Sequence, residues 1–451
     1  MKQLPAKYIE RMKALLGTDF ELYEEAVNDE PVRAFRVNID KISLEAFEKL
    51  NTFSSGKISY VENGFYLNFD KIGNHPFHHA GMIYVQEPAA MAPAECVEIQ
   101  PDWAMLDMCA APGGKSSQIK NKLGEKGVLV SNEIIPSRCK ILTGNIERLG
   151  LLNCVTTCLD TKRLSSLFPD TFDLIMVDAP CSGEGMFRKE QIAIDEWSEE
   201  NVKKCAARQS EILENATKCL KSGGYIVYAT CTFSLEENEM VVDAFLQAHS
   251  EFELVEVTER VKESTSDGIY FEGCECENIH FARRFYPHVS RGEGQFMAVL
   301  RHKGEGYSAP KKPAKKTEKI DDLVFVFLDE VLESYDKSYV TMYNQNPVYF
   351  SPDFDVPKGV AFSCGVTIGE VKKGYLQPHH QFFMAMGSRF KQKIDLAPDS
   401  DDLKRYLHGE EISVDLPNGW AAVTVCGCTI GGGKVVGGRL KNHYPKGLRT
   451  K

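Results

Sequence analysis

The chain has 451 residues, which is more than one hydrophobic core usually organises, so two to four domains are expected and a single small binding module is excluded. Hydrophobic residues make up 43% and charged residues 26%, and no apolar run approaches the ~20 residues of a membrane span, which excludes a membrane-spanning or largely disordered protein. The net charge of −11 argues against a protein that coats nucleic acid indiscriminately, because such binding depends on phosphate neutralisation by Lys and Arg.

The first predicted element is an amphipathic helix in MKQLPAKYIERMKALLG (1–17), which lacks the apolar stretch of a secretory signal. A cytoplasmic protein is therefore expected. Its 14 cysteines are expected to be free thiols, because the cytosol keeps thiols reduced. Short mixed elements follow around FRVNID (35–40) and FYLNF (65–69), and residues 1–75 are expected to form a small N-terminal auxiliary domain.

Residues 76–303 show apolar β-type runs that alternate with helical stretches, which indicates a doubly wound, Rossmann-like α/β sheet. The predicted strands are 104–107, 127–132, 153–158, 172–177 and 224–229. The predicted helices lie near 115–124, 136–149, 201–220 and 235–248. This alternation predicts βαβ units and a parallel sheet.

A Lys- and Pro-rich segment, GEGYSAPKKPAKKTEK (304–319), is predicted to be a linker. Beyond it, residues 320–385 predict a small α+β module and residues 386–451 a β-rich module. Residues 429–451 contain six Lys or Arg and no acid. A second basic cluster consists of Lys311, Lys312, Lys315 and Lys316. Both stretches are compatible with solvated charge or with contact to phosphate.

The first core strand ends in LDMCAAPGGKSSQ (106–118), where Gly113 and Gly114 lie at the strand-to-helix turn and allow the backbone to approach a ligand closely. Residues 114–116 fit the end of a phosphate loop, but Cys109 occupies the position of that motif's first glycine. The dinucleotide pattern G-x-G-x-x-G is also absent from this turn. The sequence therefore disfavours a nucleotide triphosphatase and a dinucleotide enzyme.

Two acidic residues follow the next two predicted strands. Glu133 ends the second strand about twenty residues beyond Gly113, where a carboxylate can hydrogen-bond the ribose hydroxyls of an adenosine-type ligand. Asp160 follows the third strand and could face the adenine. Either acid alone fits a helix N-cap or a solvated loop equally well. An adenosine ligand without a phosphate cradle points to S-adenosylmethionine.

Two cysteines and an aspartate are expected to converge beside this ligand. The fourth strand leads into FDLIMVDAPCSGEG (172–185), which contains Asp178 and Cys181, and the fifth leads into ATCTFS (229–234), which contains Cys231. If these strands are neighbours, ~4.8 Å apart, the three side chains meet at one edge of the sheet. The alternative is that both cysteines are buried structural thiols.

This trio suits one difficult reaction, the methylation of cytosine at carbon-5. That carbon is a poor nucleophile, and addition of a thiolate at carbon-6 turns it into an enamine-like centre that accepts a methyl group. A carboxyl group such as Asp178 can hydrogen-bond or protonate ring nitrogen-3 as negative charge develops there. The second thiol can assist proton removal and release of the product.

Several of these segments resemble the motifs of the Nol/Nop/Sun family of RNA 5-methylcytosine methyltransferases. The matching segments are DMCAAPGGK (107–115), NEIIPSR (132–138), DLIMVDAPCSGEG (173–185), ATCTFS (229–234), RVN (36–38), HHAGMIYVQEPAAMAPAE (78–95) and RRFYPHVSRGEGQFMAVL (283–300). The length and the basic tail further resemble the bacterial RsmF-type branch that acts on 16S ribosomal RNA, whose tail carries a PUA-like RNA-binding module. The resemblance implies a class I methyltransferase core, S-adenosyl-L-methionine as cofactor, and RNA as partner, either small-subunit ribosomal RNA or the 30S particle.

The resemblance also implies roles for individual residues. Cys231 would be the nucleophile and Cys181 the release cysteine, with Asp178 near the methyl group and the base. The implied cofactor-binding residues are Cys109, Ala110, Ala111, Pro112, Gly113, Gly114, Lys115, Glu133, Arg138, Asp160 and Asp178. In DNA cytosine methyltransferases the nucleophile belongs to the Pro-Cys motif, which would be Cys181 here, but the Thr-Cys-Thr motif around Cys231 favours the RNA assignment.

No metal site is predicted. The spacing of Cys274, Cys276, His280 and His288 matches no common structural zinc pattern, and the two cysteines in residues 426–428 form none either.

Other functions remain open at this stage. They are a tRNA 5-methylcytosine methyltransferase, a methyltransferase of proteins or small molecules, and a non-catalytic RNA-binding factor on a methyltransferase scaffold. Residues 1–75 and 386–451 are expected to bind RNA, although a purely structural C-terminal domain is the alternative. A monomer without a membrane partner is expected.

Overall fold

The computed structural model describes residues 4–305 and 319–450. The basic cluster of Lys311, Lys312, Lys315 and Lys316, and most of the predicted linker 304–319, lie outside the described residues. No helix in the described ranges is long and apolar enough to cross a membrane.

The N-terminal region combines helices with a four-stranded antiparallel sheet of order β2-β3-β1-β4. Its elements are α1 (Ala6–Leu16), α2 (Phe20–Asn28), β1 (Ala34–Val37), α3 (Leu44–Leu50), β2 (Ser54–Lys57), β3 (Gly64–Leu67), α4 (Pro76–His79) and β4 (Ile83–Val85). An aromatic cluster centred on Phe35 fills one face of this sheet. Helix α1 instead packs on the central core, where the rings of Tyr8 and Phe187 lie 4.8 Å apart between centroids. The N-terminal region is therefore anchored to the core.

The central core is a sheet of five parallel strands extended by antiparallel strands, with helices on both faces. Its elements are β5 (Ala104–Asp107), α5 (Gly114–Lys120), β6 (Val128–Asn132), α6 (Pro136–Leu149), β7 (Cys154–Thr157), α7 (Thr161–Leu167), β8 (Phe172–Asp178), α8 (Gln191–Glu196), α9 (Glu199–Cys219), β9 (Leu220–Thr230), α10 (Glu239–Ala248), β10 (Phe252–Val255), α11 (Glu259–Lys262), β11 (Ser266–Asp267), β12 (Arg283–Phe285) and β13 (Gln295–His302). Together with β16, described below, the strand order is β11-β12-β13-β9-β8-β5-β6-β7-β16, and β10 also pairs with β13. The prediction of a doubly wound, Rossmann-like sheet is confirmed.

The five predicted strands and four predicted core helices are present, and the bounds of β5 and α6 match the prediction, whereas the ends of the others are shifted. Strand β9 begins at Leu220 rather than at residue 224, and α10 begins at Glu239 rather than at residue 235. The reason for the later helix start is that Asn238 hydrogen-bonds both Thr230 and Thr232, which holds this turn outside the helix.

The chain builds the sheet in one direction from β5 to β7 and in the opposite direction from β5 to β9, so the strand order reverses at β5. This strand lies between β6 on one side and β8 on the other, so the helices that follow β5 and β8 leave a crevice at the carboxyl ends of the strands. Strands β8 and β9 are parallel neighbours, with Asp178 opposite Ala229. The fourth and fifth core strands are therefore neighbours, which is the condition under which the sequence analysis expected Asp178, Cys181 and Cys231 to converge.

The C-terminal region contributes one strand to the core sheet. Its elements are α12 (Asp322–Val331), β14 (Val340–Tyr343), β15 (Asn346–Tyr349), β16 (Ala361–Cys364), β17 (Val366–Thr367), β18 (Gly369–Lys372), β19 (Tyr375–Pro378), α13 (His380–Met386), β20 (Lys393–Asp395), α14 (Asp401–His408), β21 (Ile412–Ser413), β22 (Gly419–Val425), β23 (Cys428–Val436) and β24 (Arg439–Asn442). Strand β16 pairs antiparallel with β7 and covers an edge that would otherwise be open. The last module is a five-stranded sheet of order β20-β22-β23-β24-β21.

The three regions meet at the end of α6. Gly150 caps this helix with φ +66°, and a Cβ atom there would lie 2.4 Å from the carbonyl oxygen of Met384. The ammonium of Lys41, from the N-terminal region, donates to that same carbonyl oxygen. The thiol of Cys428 in turn donates to the carbonyl oxygen of Lys41 at 3.3 Å. One glycine therefore allows close contact between the core and both flanking regions.

Gly150→Ala should lower the free energy of unfolding by roughly 2 kcal/mol or more, because it combines a left-handed backbone with a steric overlap. Gly144→Ala is the matched control, since Gly144 lies exposed within α6 and a Cβ there meets no atom within 4 Å. The control should gain up to about 1 kcal/mol from its higher helix propensity. Urea unfolding measures both, and equal effects of the two substitutions would contradict the close three-way contact.

Candidate functional site

The turn after β5 depends on glycine and on support from the N-terminal sheet. Gly113 has φ +110°, a conformation that L side chains rarely adopt. The buried guanidinium of Arg36 donates to the carbonyl oxygen of Gly114 at 2.7 Å and to Oε1 of Gln86 at 2.8 Å. The turn is therefore held by side chains from outside the core, which its own motif does not reveal.

A cavity of about 640 Å³ opens at the carboxyl ends of β5 and β8. Its core lining consists of Ala90, Asp107, Cys109, Ala110, Ala111, Pro112, Gly114, Lys115, Arg138, Asp178 and Cys231. The N-terminal region contributes Val32, Arg33, Ala34, Tyr84, Val85, Gln86 and Glu87, and the remaining wall is formed by Met186, Lys189, Glu190, Gly294 and Gln295. This volume is typical of cavities that bind small molecules, which span roughly 300–1,000 Å³.

Lys115 and Asp178 form an ion pair on the cavity wall. The lysine Nζ lies 2.8 Å from Oδ2 of the aspartate, and the two side chains are 8% and 35% exposed. Burial lowers the pKa of Lys115, but the attraction of the Asp178 carboxylate outweighs this effect and raises the pKa above its ordinary value. Lys115 therefore stays a cation that orients Asp178.

Asp107 is a buried carboxyl with one oxygen unused. Its Oδ2 accepts a hydrogen bond from the Ser116 hydroxyl at 2.6 Å, whereas Oδ1 has no partner among the described residues. Burial raises the pKa of Asp107 to about 7, against the opposing hydrogen bond from Ser116. Oδ1 of Asp107 is thus a buried acceptor beside the cavity, where a hydrogen-bond donor of a bound ligand can satisfy it.

Glu133 and Arg138 pair at the end of β6. The Arg138 Nη1 lies 3.3 Å from Oε2 of the buried Glu133 carboxylate, and Nη2 donates to the carbonyl oxygen of Ala111 at 2.9 Å. The other carboxylate oxygen of Glu133 accepts from the backbone N–H of Ile135 at 2.9 Å. Arg138 therefore joins the second strand to the turn after the first, although Glu133 itself is not part of the cavity lining given above.

Asp160 lies farther from this constellation. Its carboxylate caps α7 by accepting from the backbone N–H of Arg163 at 2.8 Å, and its side chain is exposed. This is the N-cap geometry that the sequence left open, and Asp160 is likewise outside the cavity lining given above.

The two cysteines meet at the ends of β8 and β9. The Sγ atoms of Cys181 and Cys231 lie 3.2 Å apart, both thiols are free, and Cys231 lines the cavity. The hydrogen bond with Cys231, followed by burial, holds the pKa of Cys181 well above its ordinary value. The structure therefore brings together the trio of Asp178, Cys181 and Cys231 that the sequence singled out.

The sequence analysis missed two kinds of residue at this site. The N-terminal wall, including Gln86 and Glu87, lies within the motif 78–95, but the motif alone does not place it against the turn after β5. Glu237 and Asn238 are two buried polar residues that follow β9. They form hydrogen bonds with the loops that contain Cys181 and Cys231. A run of polar residues directly after an apolar strand was the available signal for this pair.

The cysteines outside this cavity have other surroundings. Asp243 accepts hydrogen bonds from the backbone N–H groups of Glu275 at 3.0 Å and Cys276 at 2.7 Å, and so organises the Cys274 loop. Within residues 4–305 and 319–450, no group of three or more His, Cys, Asp or Glu is arranged to hold a metal ion.

Three family models match this chain. The model described as 16S rRNA methyltransferase RsmB/F matches residues 94–301. The N-terminal domain of 16S rRNA methyltransferase RsmF matches residues 4–88, and the methyltransferase RsmF PUA domain matches residues 393–450. A relative named ribosomal RNA small subunit methyltransferase F, from Vibrio vulnificus, is 30% identical over 469 residues, which cover 99% of this chain and 97% of the relative.

Solved structures share the core architecture. A crystal structure of a methyltransferase homolog protein from Pyrococcus horikoshii is 30% identical with a TM-score of 0.58, and the match covers 66% of this chain and 94% of that chain. The crystal structure of NSun6 from Pyrococcus horikoshii with SFG has a TM-score of 0.57 at 22% identity, covering 67% of this chain and 99% of that chain. At that identity the second similarity concerns the fold alone.

Asp107→Asn should change how stability depends on pH. Between the ordinary value of 3.8 and the raised value of about 7, the folded protein keeps a proton on Asp107 that the unfolded chain has lost, so this group lowers stability as pH rises. Asparagine removes that cost. The stability of the variant relative to the wild type should therefore grow by on the order of 3 kcal/mol across this range.

Urea unfolding between pH 4 and 8 measures this difference. The exposed Asp102, just before β5, supplies the control Asp102→Asn, which should show no comparable growth. Parallel pH curves for wild type and Asp107→Asn would contradict the raised pKa.

Proposed function

We propose, from the premise that this chain belongs to the RsmB/F family of 16S ribosomal RNA methyltransferases, that it methylates carbon-5 of a cytosine through a covalent cysteine adduct. Family membership supports methylation of ribosomal RNA. The cytosine chemistry is our inference from the site. The observation that carries it is the pair of thiols 3.2 Å apart, one of them lining a cavity beside Asp178.

The residues around the cavity fit S-adenosylmethionine as the cofactor. Residues 109–115 would surround it with backbone groups, Asp107 offers an unused buried acceptor, and Glu133 lies at the end of the neighbouring strand. NSun6 from Pyrococcus horikoshii was solved with SFG, an S-adenosylmethionine analogue. When bound, S-adenosylmethionine supplies an electrophilic methyl group. The assignments of Arg138 and Asp160 as cofactor contacts remain part of this proposal.

Cys231 is the proposed nucleophile because its thiol lines the cavity. After losing its proton to water, Sγ forms a bond to carbon-6 of the cytosine, and the ring electrons move towards nitrogen-3. Carbon-5 thereby becomes nucleophilic and takes the methyl group. Asp178 lies on the same wall as its ion-pair partner Lys115. In its acid form, with a proton taken from water, Asp178 would donate a hydrogen bond to nitrogen-3 as negative charge develops there, and the cationic Lys115 would stabilise the same charge. A fixed ion pair in a partly buried site needs little rearrangement during the reaction.

Cys181 is the proposed release residue because its Sγ lies 3.2 Å from that of Cys231. Once Cys231 is bonded to carbon-6 it is a thioether without a free thiol, so Cys181 is the remaining thiol beside it. Cys181 gives its own proton to water before it acts as the base. The Cys181 thiolate then accepts the proton from carbon-5, the bond between sulfur and carbon-6 breaks, and Cys231 leaves as a thiolate.

We propose that the C-terminal module binds the RNA backbone. Lys434 and Lys441 are exposed and lie directly opposite each other on β23 and β24, where like charges destabilise a sheet unless an anion binds between them. The Nζ of Lys434 also lies 5.7 Å from the ring centroid of Trp420. We further propose that residues 386–451 form a PUA-like RNA-binding domain and residues 320–385 a module that joins it to the core 76–303.

The N-terminal domain, residues 1–75, is proposed to contact RNA near the cavity. Arg33 lines the cavity, and the exposed guanidinium of Arg291 lies 4.0 Å from the ring centroid of Tyr66 at the same face of the molecule. Aromatic rings and guanidinium groups are common platforms for unstacked bases. We also propose that the enzyme acts in the cytoplasm, where bacterial ribosomal RNA is found, and that it is a monomer.

Glu133→Ala should weaken binding of S-adenosylmethionine by roughly 1–3 kcal/mol, the typical loss when a hydrogen-bonded polar contact is removed. Calorimetry measures this affinity. The control is Glu211→Ala on the exposed face of α9, which should bind normally. Unchanged affinity in Glu133→Ala would show that the ribose contact lies elsewhere.

The two cysteines should give mutants that differ in kind. Cys231→Ala should lose activity by on the order of 10³-fold or more and form no covalent RNA complex. Cys181→Ala should stall after methyl transfer and accumulate a denaturant-resistant protein–RNA adduct. Cys426→Ala, at a half-buried cysteine of the C-terminal module, is the control and should keep activity.

Methyl-labelled S-adenosylmethionine with total RNA, followed by mapping of the label, tests the same proposal. Label at carbon-5 of cytosine is expected. Reversed phenotypes would assign Cys181 as the nucleophile, and activity in both cysteine variants would refute covalent catalysis by these residues. Label confined to transfer RNA would refute the ribosomal substrate.

The double variant Lys434→Ala/Lys441→Ala should weaken RNA binding and reduce the salt slope of log K by about 1–2, because each phosphate contact contributes about 0.7–0.9. Lys372→Ala/Lys404→Ala is the control, since each of these lysines already pairs with a neighbouring acid. Binding titrations at several salt concentrations measure the slope. An equal slope in both double variants would refute the proposed phosphate contact.

A further inference from the structure

Two adjacent polar residues are buried between β9 and α10. Glu237 and Asn238 are both fully buried, although carboxylates and amides are rarely buried without several hydrogen bonds. Neither lines the cavity as given above. Their hydrogen bonds instead go to the two loops that carry the cysteines.

Asn238 binds both neighbours of Cys231. The Thr230 hydroxyl donates to Oδ1 of Asn238 at 2.6 Å, and Nδ2 of Asn238 donates to the carbonyl oxygen of Thr232 at 2.9 Å. These bonds fix the chain on either side of the cysteine. The direction of the Cys231 side chain is therefore constrained from both sides.

Glu237 binds the loop of Cys181 in a similar way. Its Oε2 accepts from the backbone N–H of Ser182 at 2.9 Å and from Nε2 of Gln209 at 2.9 Å. The same Nε2 of Gln209 donates to the carbonyl oxygen of Pro180 at 3.0 Å. Glu237 and Gln209 together therefore hold both neighbours of Cys181.

The two loops are also linked directly. The hydroxyl oxygens of Ser182 and Thr232 lie 2.9 Å apart. Because Glu237 and Asn238 are consecutive, a shift of this dipeptide would move both loops together, and neither loop can move alone without losing hydrogen bonds in a buried environment.

We propose that Glu237 and Asn238 act as one unit, a dipeptide clamp, that positions Cys181 and Cys231 for successive steps on the same cytosine. The catalytic role of this clamp depends on the proposed function. Both thiols must reach adjacent ring carbons, and a displacement of ~1 Å at such a site costs on the order of 10²-fold in rate. Glu237 and Asn238 are positioning residues, since they touch the cysteine loops and not the cavity.

The clamp predicts different defects when Glu237 and when Asn238 is replaced. Glu237→Ala should release the Cys181 loop and accumulate the protein–RNA adduct, as Cys181→Ala does. Asn238→Ala should release the Cys231 loop and form less adduct than the wild type. In both variants kcat should fall about 10- to 100-fold, while KM for RNA and the affinity for S-adenosylmethionine stay within about twofold.

Two matched controls separate positioning from general loss of stability. Glu236→Ala changes the adjacent carboxylate, which pairs with Arg11 and accepts from the Ser234 hydroxyl at 2.9 Å but contacts no immediate neighbour of either cysteine. Asn215→Ala removes another buried asparagine, which donates to the Thr161 hydroxyl at 3.0 Å. Both controls should keep kcat within about threefold of the wild type. Equal losses in the controls and the clamp variants would refute the clamp.

The rate of disulfide formation between Cys181 and Cys231 tests the clamp without any RNA chemistry. Diamide accepts two electrons and two protons from a pair of thiols, and the Cys181–Cys231 disulfide is quantified by mass spectrometry of its peptides. Both clamp variants should form this disulfide at least about fivefold more slowly than the wild type and the two controls. Normal rates in both clamp variants would refute the clamp even if their activity were lost.

Glu237→Gln should restore activity and disulfide rate to within about threefold of the wild type, because one amide oxygen can accept both hydrogen bonds that Oε2 accepts. A glutamine variant as impaired as the alanine variant would refute the acceptor role. If thermal unfolding shows that an alanine variant does not fold, Gln209→Ala and Thr230→Val test the same two loops. Slowed disulfide formation in a chain that proved not to methylate cytosine would uphold the clamp and refute the proposed function.

Discussion

The parallel pairing of β8 with β9 is the constraint on which the site depends. In this register Asp178 lies opposite Ala229, so the chain leaves both strands at the same edge of the sheet. Successive residues of β8 alternate between two hydrophobic clusters, with Ile175 in one and Met176 in the other. Burial on both faces requires such a continuous apolar run and gives the strand one stable register. Hydrophobic packing along the strands therefore determines where the two thiols meet.

The cavity itself is a composite of the core and the N-terminal region. Arg36 reaches from β1 into the turn after β5 and satisfies the carbonyl oxygen of Gly114, while Gln86 packs beside that glycine. A buried guanidinium is stable there only because it is hydrogen-bonded on several sides. The N-terminal sheet thus contributes to the geometry of the turn after β5 as well as to the wall of the cavity.

The C-terminal region is joined to the core by backbone pairing and by close packing. Strand β16 extends the sheet beyond β7, and Gly150 allows the carbonyl oxygen of Met384 to approach the end of α6. The exposed lysines of β23 and β24 are thereby connected to the core through ordered elements. Under the proposed function, this arrangement would hold the lysines at a set distance from Cys181 and Cys231.

The sequence by itself determined the alternation of strands and helices, the glycine turn, and the trio of Asp178, Cys181 and Cys231, because each of these depends on local pattern and chain order. The convergence of this trio depended on the condition that the fourth and fifth strands are neighbours, which the structure meets, and a doubly wound sheet has few possible strand orders. Only the tertiary structure placed Arg36 at the turn after β5, joined β16 to β7, and brought Glu237 to the loop of Cys181. These contacts join segments brought together by packing, and no local pattern specifies which buried polar groups become partners. The physical reason is that a buried hydrogen bond is selected by three-dimensional proximity and by the cost of leaving its atoms unpaired, neither of which can be deduced from spacing along the chain.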